Sequence, residues 1–216
     1  MKDGVSGFFV TLEGIEGVGK STQIDFVCAL LRDWDWPVIK TREPGGTELG
    51  ERIRTLLLED ADQPMHADTE LQLMFAARSE HLHKKIIPAL KRGAAVVCDR
   101  FTDATYAYQG GGRGVDKERI SILETLVQSD LRPDVTLLLD APIAVALERS
   151  RSRAGAEDRF ENEQKEFFER VRQVYLERAR QMPSRYYIVD AQPSVAQVST
   201  AIGKVITRIL KERQTG

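Results

Sequence analysis

The segment Gly14-Ile15-Glu16-Gly17-Val18-Gly19-Lys20-Ser21 suits one place in a fold: the turn from a buried strand into a helix. Phe8-Phe9-Val10-Thr11-Leu12 before it is apolar and β-branched, and Ser21-Thr22-Gln23-Ile24 after it opens a helical pattern. Glycines there let backbone N–H groups turn onto phosphate oxygens, and the helix N-terminus adds partial positive charge. Lys20 has the reach for β- and γ-phosphates, and the Ser21 hydroxyl suits Mg2+. A nucleoside triphosphate such as ATP is therefore the expected ligand, surrounded by Gly14, Glu16, Gly17, Val18, Gly19, Lys20, Ser21 and Thr22.

The rest of the chain repeats the strand–helix alternation. Runs at Phe8–Leu12, Pro37–Thr41, Ala94–Cys98, Val135–Asp140 and Tyr186–Val189 read as strands. Helical patterns cover Lys20–Arg32, Glu48–Leu58, Thr69–Lys91, Asp116–Gln128, Pro142–Arg151, Glu163–Gln181 and Ser194–Lys211. Thr69 with Gln72 and Ser194 with Gln197 carry capping signatures. The expected fold is α/β: three α/β/α layers on a five-stranded parallel sheet, in one domain. Ligands in such sheets bind at the carboxyl ends of the strands. Net charge is −2, which marks no nucleic-acid or membrane surface, and no apolar run reaches membrane-spanning length. Cys28 and Cys98 read as buried free thiols, in keeping with a cytoplasmic protein.

Two further loops narrow the chemistry. Thr41-Arg42-Glu43-Pro44-Gly45-Gly46-Thr47 places a guanidinium at a strand end. Asp99-Arg100 follows another strand, where a Mg2+-organising carboxylate belongs in phosphate-loop enzymes. Phe75 and Arg78 lie on one helical face, an aromatic plane beside a guanidinium. There is no Asn-Lys-x-Asp guanine-reading motif, which argues against a GTP switch. His66, His81 and His83 lack metal-ligand spacing and read as structural or exposed.

Together with Ala107-Tyr108-Gln109-Gly110, these motifs give a chain that resembles the bacterial thymidylate kinases, among the nucleoside monophosphate kinases. The likeness runs from Phe8 to at least Asp190. It implies a phosphate-loop kinase fold, transfer of the γ-phosphoryl of ATP to dTMP, Mg2+ and a homodimer. By the same resemblance, Lys20 and Ser21 hold ATP phosphates and metal, and Asp99 serves the metal. Glu13 accepts a hydrogen bond from the deoxyribose 3′-hydroxyl. Arg42 and Arg100 clamp the dTMP phosphate, with Pro44 and Arg54 on the same nucleotide. Arg78, Thr105 and Gln109 bond the thymine edge, Phe75 stacks on it, and Tyr108 disfavours ribose. Relatives place the stacking aromatic where Met74 stands here, one residue before Phe75.

Some relatives carry an arginine in the phosphate loop; this chain has none there and resembles those that supply the catalytic cation from a lid, here the arginine-rich stretch at about 149–160. Arg153 is the first candidate, and Arg149 is expected against adenine. A phosphate-loop kinase for another nucleoside monophosphate and a phosphate-loop switch protein are the rival readings.

Overall fold

The computed structural model describes residues 7–59, 63, 65–151 and 163–215. Five strands form one wholly parallel sheet: β1 (Phe8–Glu13), β2 (Val38–Arg42), β3 (Ala95–Asp99), β4 (Val135–Asp140) and β5 (Tyr186–Asp190). Their order is β2-β3-β1-β4-β5. The central strand β1 is buried along its whole length, with Val10 opposite Val97 on one side and Val135 on the other. Helices cover both faces, so the central strands carry apolar residues without alternation. In order they are α1 (Lys20–Asp33), α2 (Glu48–Leu58), α3 (Ala67–His81), α4 (Ile87–Lys91), α5 (Thr102–Thr105), α6 (Lys117–Gln128), α7 (Ile143–Arg151), α8 (Lys165–Gln181) and α9 (Val195–Thr215). Among the described residues, no helix is long and apolar enough to cross a membrane.

The strands fall within about a residue of expectation, and the departures lie in the helices. The long pattern Thr69–Lys91 is a helix broken by a π-helical turn at Leu82–Ile86. It starts at Ala67, where the His66 ring accepts from the Asp68 N–H, so the Thr69–Gln72 capping box is not used. The Ser194–Gln197 box is present: the Ser194 N–H donates to Gln197 Oε1 at 3.1 Å, and the Gln197 N–H to Ser194 Oγ at 3.4 Å. Both cysteines are buried and free.

The largest departure follows β3. A stretch whose glycines suggest a loop is helical: α5 runs into π-helical turns at Tyr106–Gly112. The glycines permit close packing there. A Cβ on Gly112 would lie 2.4 Å from the Phe167 ring, and one on Gly111 2.7 Å from Val174, both on α8. Arg170 of α8 then donates to the Gly111 and Gly112 carbonyls at 3.1 and 3.0 Å. These carbonyls lie at the end of a helix, where no further helical N–H follows to donate to them.

A buried charge cluster fixes the same region from below. Asp103 of α5 receives Arg178 Nε at 2.7 Å and Arg185 at 2.8 and 2.9 Å. Burial pushes the Asp103 carboxyl up, but Arg178 and Arg185 outweigh it and hold the pKa at about 2. Its stabilising contribution is thus complete above the ordinary carboxylate range and is lost only as pH falls toward 2. Asp103→Ala leaves two largely buried guanidiniums without their partner. We expect it to lower unfolding free energy by about 3–5 kcal/mol in urea denaturation at pH 7. A loss below about 1 kcal/mol, the range of exposed pairs, would make the cluster ornamental.

Candidate active site

The phosphate loop leaves β1 at Gly14 and enters α1 at Lys20. Gly14, Gly17 and Gly19 have φ of +132°, +79° and +92°, a region that side chains disfavour. Space forbids a side chain as well: a Cβ on Gly17 would stand 1.8 Å from the Ala146 carbonyl oxygen of α7. Lys20 is buried and donates to the carbonyls of Gly14 and Ile15 at 2.9 and 2.7 Å. Burial, then Arg100, lowers its pKa to about 8. Val18 joins the core, and Ser21 and Thr22 are exposed at the helix mouth.

Two cavities open at the carboxyl ends of β1, β2 and β3. The first is lined by Glu16, Glu43, Pro44, Arg54, Leu58, Met74, Arg78, Arg100, Phe101, Ala104, Thr105, Tyr108 and Gln109. Arg78 is buried, with its Cζ 4.7 Å over the Phe75 ring. Its Nε donates to Glu43 at 2.7 Å and its Nη2 to Thr105 Oγ1 at 2.9 Å. Its Nη1 is buried and lacks a partner. A buried donor with nothing to bind is costly, so this atom is set to meet an acceptor from a ligand. Glu43 also takes a hydrogen bond from His81, whose other nitrogen meets Thr41 Oγ1 at 2.6 Å. Burial pushes Glu43 up, but Arg78 and His81 outweigh it and hold its pKa below the usual range.

Arg100 occupies the left-handed region at φ +63°, a strained position for an arginine. Its backbone N–H reaches the Leu12 carbonyl at 3.0 Å, and its Nη2 meets Glu16 at 2.6 Å and the Tyr108 hydroxyl at 3.0 Å. The Tyr108 hydroxyl donates to Glu16 in turn. Burial raises the Glu16 pKa, but Arg100, Lys20 and Tyr108 bring it below the usual value. Glu16 is therefore an anion at neutral pH on the wall of this cavity.

The second cavity is lined by Ser21, Ile24, Lys40, Thr41, Arg42, Gly46, Glu51, Lys85 and Asp99. Asp99 Oδ1 is buried without a partner, and Arg42 pairs with the exposed Glu51 at 2.7 Å. A hydroxyl and an unpartnered carboxylate oxygen facing one space suit a hard divalent cation. Among the described residues no cluster of three or more His, Cys, Asp or Glu could cage a metal alone. That fits an ion that takes its remaining oxygens from phosphates and water.

Several expected positions hold together. Pro44, Arg54, Arg78, Arg100, Thr105, Tyr108 and Gln109 share the first cavity, and Ser21 and Asp99 share the second; Arg42, expected beside Arg100, lines the second cavity instead. Other expected residues are placed differently or lie outside the described residues. Glu13 is fully buried, its oxygens taken by the Phe101 N–H at 2.7 Å and the Tyr175 hydroxyl at 2.8 Å. It therefore does not reach the cavity, whose wall instead carries the carboxylates of Glu16, expected on the triphosphate side, and Glu43. Phe75 lies beneath Arg78 in the core, while its neighbour Met74 lines the cavity. Arg149 donates to the carbonyls of Ala191 and Gln192 at 2.6 and 2.8 Å, at the loop after β5. Arg153, with the lid from 152 onward, lies outside the described residues. Glu43 was missed by motif reading, although a glutamate between Arg42 and Pro44 signalled a paired cation.

A phosphate loop opening α1 from the centre of this sheet, with an arginine-lined cavity alongside, defines a nucleoside monophosphate kinase, a phosphotransferase. The thymidylate kinase family profile matches residues 12–213. The chain is 57% identical to the thymidylate kinase of Pseudomonas entomophila over 96% of its length and 98% of that protein. It is 56% identical to the Pseudomonas putida F1 enzyme over the same shares. The crystal structure of thymidylate kinase from Ehrlichia chaffeensis superposes with a TM-score of 0.77 at 33% identity, covering 93% of this chain and 99% of that one. The chain belongs to the thymidylate kinase family.

Glu13 gives this site a pH signature. Burial, then Asp103, raises its pKa from 4.5 to about 8. Folding therefore takes up a proton between those values, and the Glu13 contribution weakens as pH rises through the window. Glu13→Gln keeps the shape and removes the titration. The stability difference between variant and native chain should shift in the variant's favour from pH 5 to pH 8, by on the order of 3–5 kcal/mol. Urea melts across that range test it, and a flat difference would mean that Glu13 does not titrate there.

Proposed function

We propose that this chain transfers the γ-phosphoryl of ATP to dTMP, yielding dTDP and ADP. The observation that carries the reading is the cavity beside the phosphate loop, where a buried, unpartnered donor on Arg78 awaits a base and Arg100 stands at the phosphate-loop end. The family gives the acceptor; Thr105, Gln109, Tyr108, Pro44 and Arg54 line the space it would fill.

The acceptor oxygen is already ionised near neutral pH, so positioning outweighs proton abstraction. Lys20 exchanges its bonds to the Gly14 and Ile15 carbonyls for phosphate oxygens. Arg100, held by Glu16 and Tyr108, fixes the acceptor phosphate near the loop, and Arg42 adds a cation from the second cavity. Ser21 and Asp99 would hold Mg2+, which neutralises phosphate charge when bound with ATP. Arg153 in the lid at about 149–160 supplies charge to the transferring group, and Arg149 packs on the adenine side. Phe75 serves the base by supporting Arg78 from behind, and Met74 contributes the apolar wall. The chain works as one domain in a cytoplasmic homodimer; its two free buried thiols accord with a reducing compartment.

The test is ADP release with ATP and Mg2+ across dTMP, dUMP, UMP, dCMP, AMP and GMP. Strong preference for dTMP is expected, with little ADP released in the absence of acceptor. Arg100→Ala should reduce kcat/KM for dTMP on the order of 10³-fold while the chain stays folded. Preference for another monophosphate, or acceptor-independent hydrolysis, would overturn the reading.

A further inference from the structure

Glu70 lies on α3 outside every motif, and it is completely buried. Its carboxylate receives Gln109 Nε2 at 2.8 Å and stands 3.3 Å from Arg113 Nε. Arg113 in turn reaches Glu163 and packs its guanidinium 5.0 Å over the Phe167 ring. Glu70 is thus a charged acceptor held in place beneath the wall of the first cavity.

An ionised carboxylate can only accept hydrogen bonds. The amide of Gln109 must therefore turn its NH2 toward Glu70, which leaves the carbonyl oxygen for the cavity that Gln109 lines. Turning the amide over would set two acceptors against each other in a buried place, which is strongly unfavourable. The cavity then has a fixed donor, Arg78 Nη1, and the Glu70 bond to the Gln109 amide leaves Gln109 Oε1 as its fixed acceptor. A 2,4-dioxopyrimidine presents the complement, a carbonyl oxygen beside an N–H. A 4-aminopyrimidine presents the reverse, an amino donor beside a bare ring nitrogen.

We propose that Glu70 is a specificity-determining positioning residue: held by Arg113, it locks the Gln109 amide so that the site accepts a 2,4-dioxopyrimidine nucleotide and rejects a 4-amino one. The inference rests on the kinase reading above and deepens it. Glu70 touches no nucleotide and acts only through Gln109. In Glu70→Gln the new amide can donate or accept, so both orientations of Gln109 become available.

The measurement is the ratio of kcat/KM for dTMP to that for dCMP, with ATP saturating. In Glu70→Gln we expect the ratio to fall about tenfold or more, through a higher KM for dTMP and measurable turnover of dCMP. A disturbance passed through Arg113 to Glu163 slows both acceptors alike and cancels in the ratio. Glu70→Asp keeps the charge with a shorter reach and should give an intermediate ratio, which also serves if Glu70→Gln does not fold. In a Gln109→Ala background, Glu70→Gln should change the ratio less than twofold. An unchanged ratio in both Glu70 variants, or an equal change in the Gln109→Ala background, overturns the proposal alone. Failure of the native chain to phosphorylate dTMP overturns the kinase reading, and this one with it.

Discussion

Arg100 holds the two halves of the site together, and its backbone and side chain do so in different ways. The backbone accepts a left-handed turn that disfavours any residue with a Cβ, at roughly 1–2 kcal/mol. In exchange the N–H is tied to the carboxyl end of β1 and the guanidinium reaches the phosphate loop at Glu16. Tyr108 closes the triangle from the helical segment after β3. The phosphate-binding turn and the acceptor cavity are thus one hydrogen-bonded unit. One arginine on a strained backbone thus ties the phosphate-loop turn to the wall of the cavity beside it.

Around that unit, charge is arranged in buried pairs with distinct purposes. Glu43 orients Arg78 toward the cavity, Glu70 orients Gln109, and Asp103 secures α5 to α8 and to Arg185 just before β5. Each carboxylate sits behind a residue that lines the cavity or carries the element that does. Buried ion pairs gain little net stability over apolar packing, because desolvation offsets the attraction. Their value here is directional: they leave few rotamers to the groups that line the cavity.

Sequence legibility followed the range of the interaction. Strands, the phosphate loop and the Ser194 cap depend on neighbours within a few residues, and they could be read directly. Glu13 and Glu16 are three apart across a glycine at φ +132°, and the direction taken at that glycine decides which carboxylate meets the cavity. Met74 and Phe75 are adjacent on α3, so a single helical step separates wall from core, and only the packing of α3 settles the phase. Glu70 and Gln109 are separated by 39 positions and meet only once α3 and the segment after β3 are packed. Gly110, Gly111 and Gly112 read as a loop because glycine breaks isolated helices. The pressing surface of α8 that makes them necessary is about 60 residues further on.

That last contact bears on how a map of mutational effects across this chain would look. Gly111 and Gly112 line no cavity described above, yet they sit under α8 with no room for a methyl group. Their intolerance would form a hot zone continuous with Tyr108 and Gln109. A reader ranking positions by lost activity alone would draw the binding site several residues too long. Growth-based scans would need a parallel abundance measurement to separate the residues that touch a nucleotide from those that merely let two helices meet.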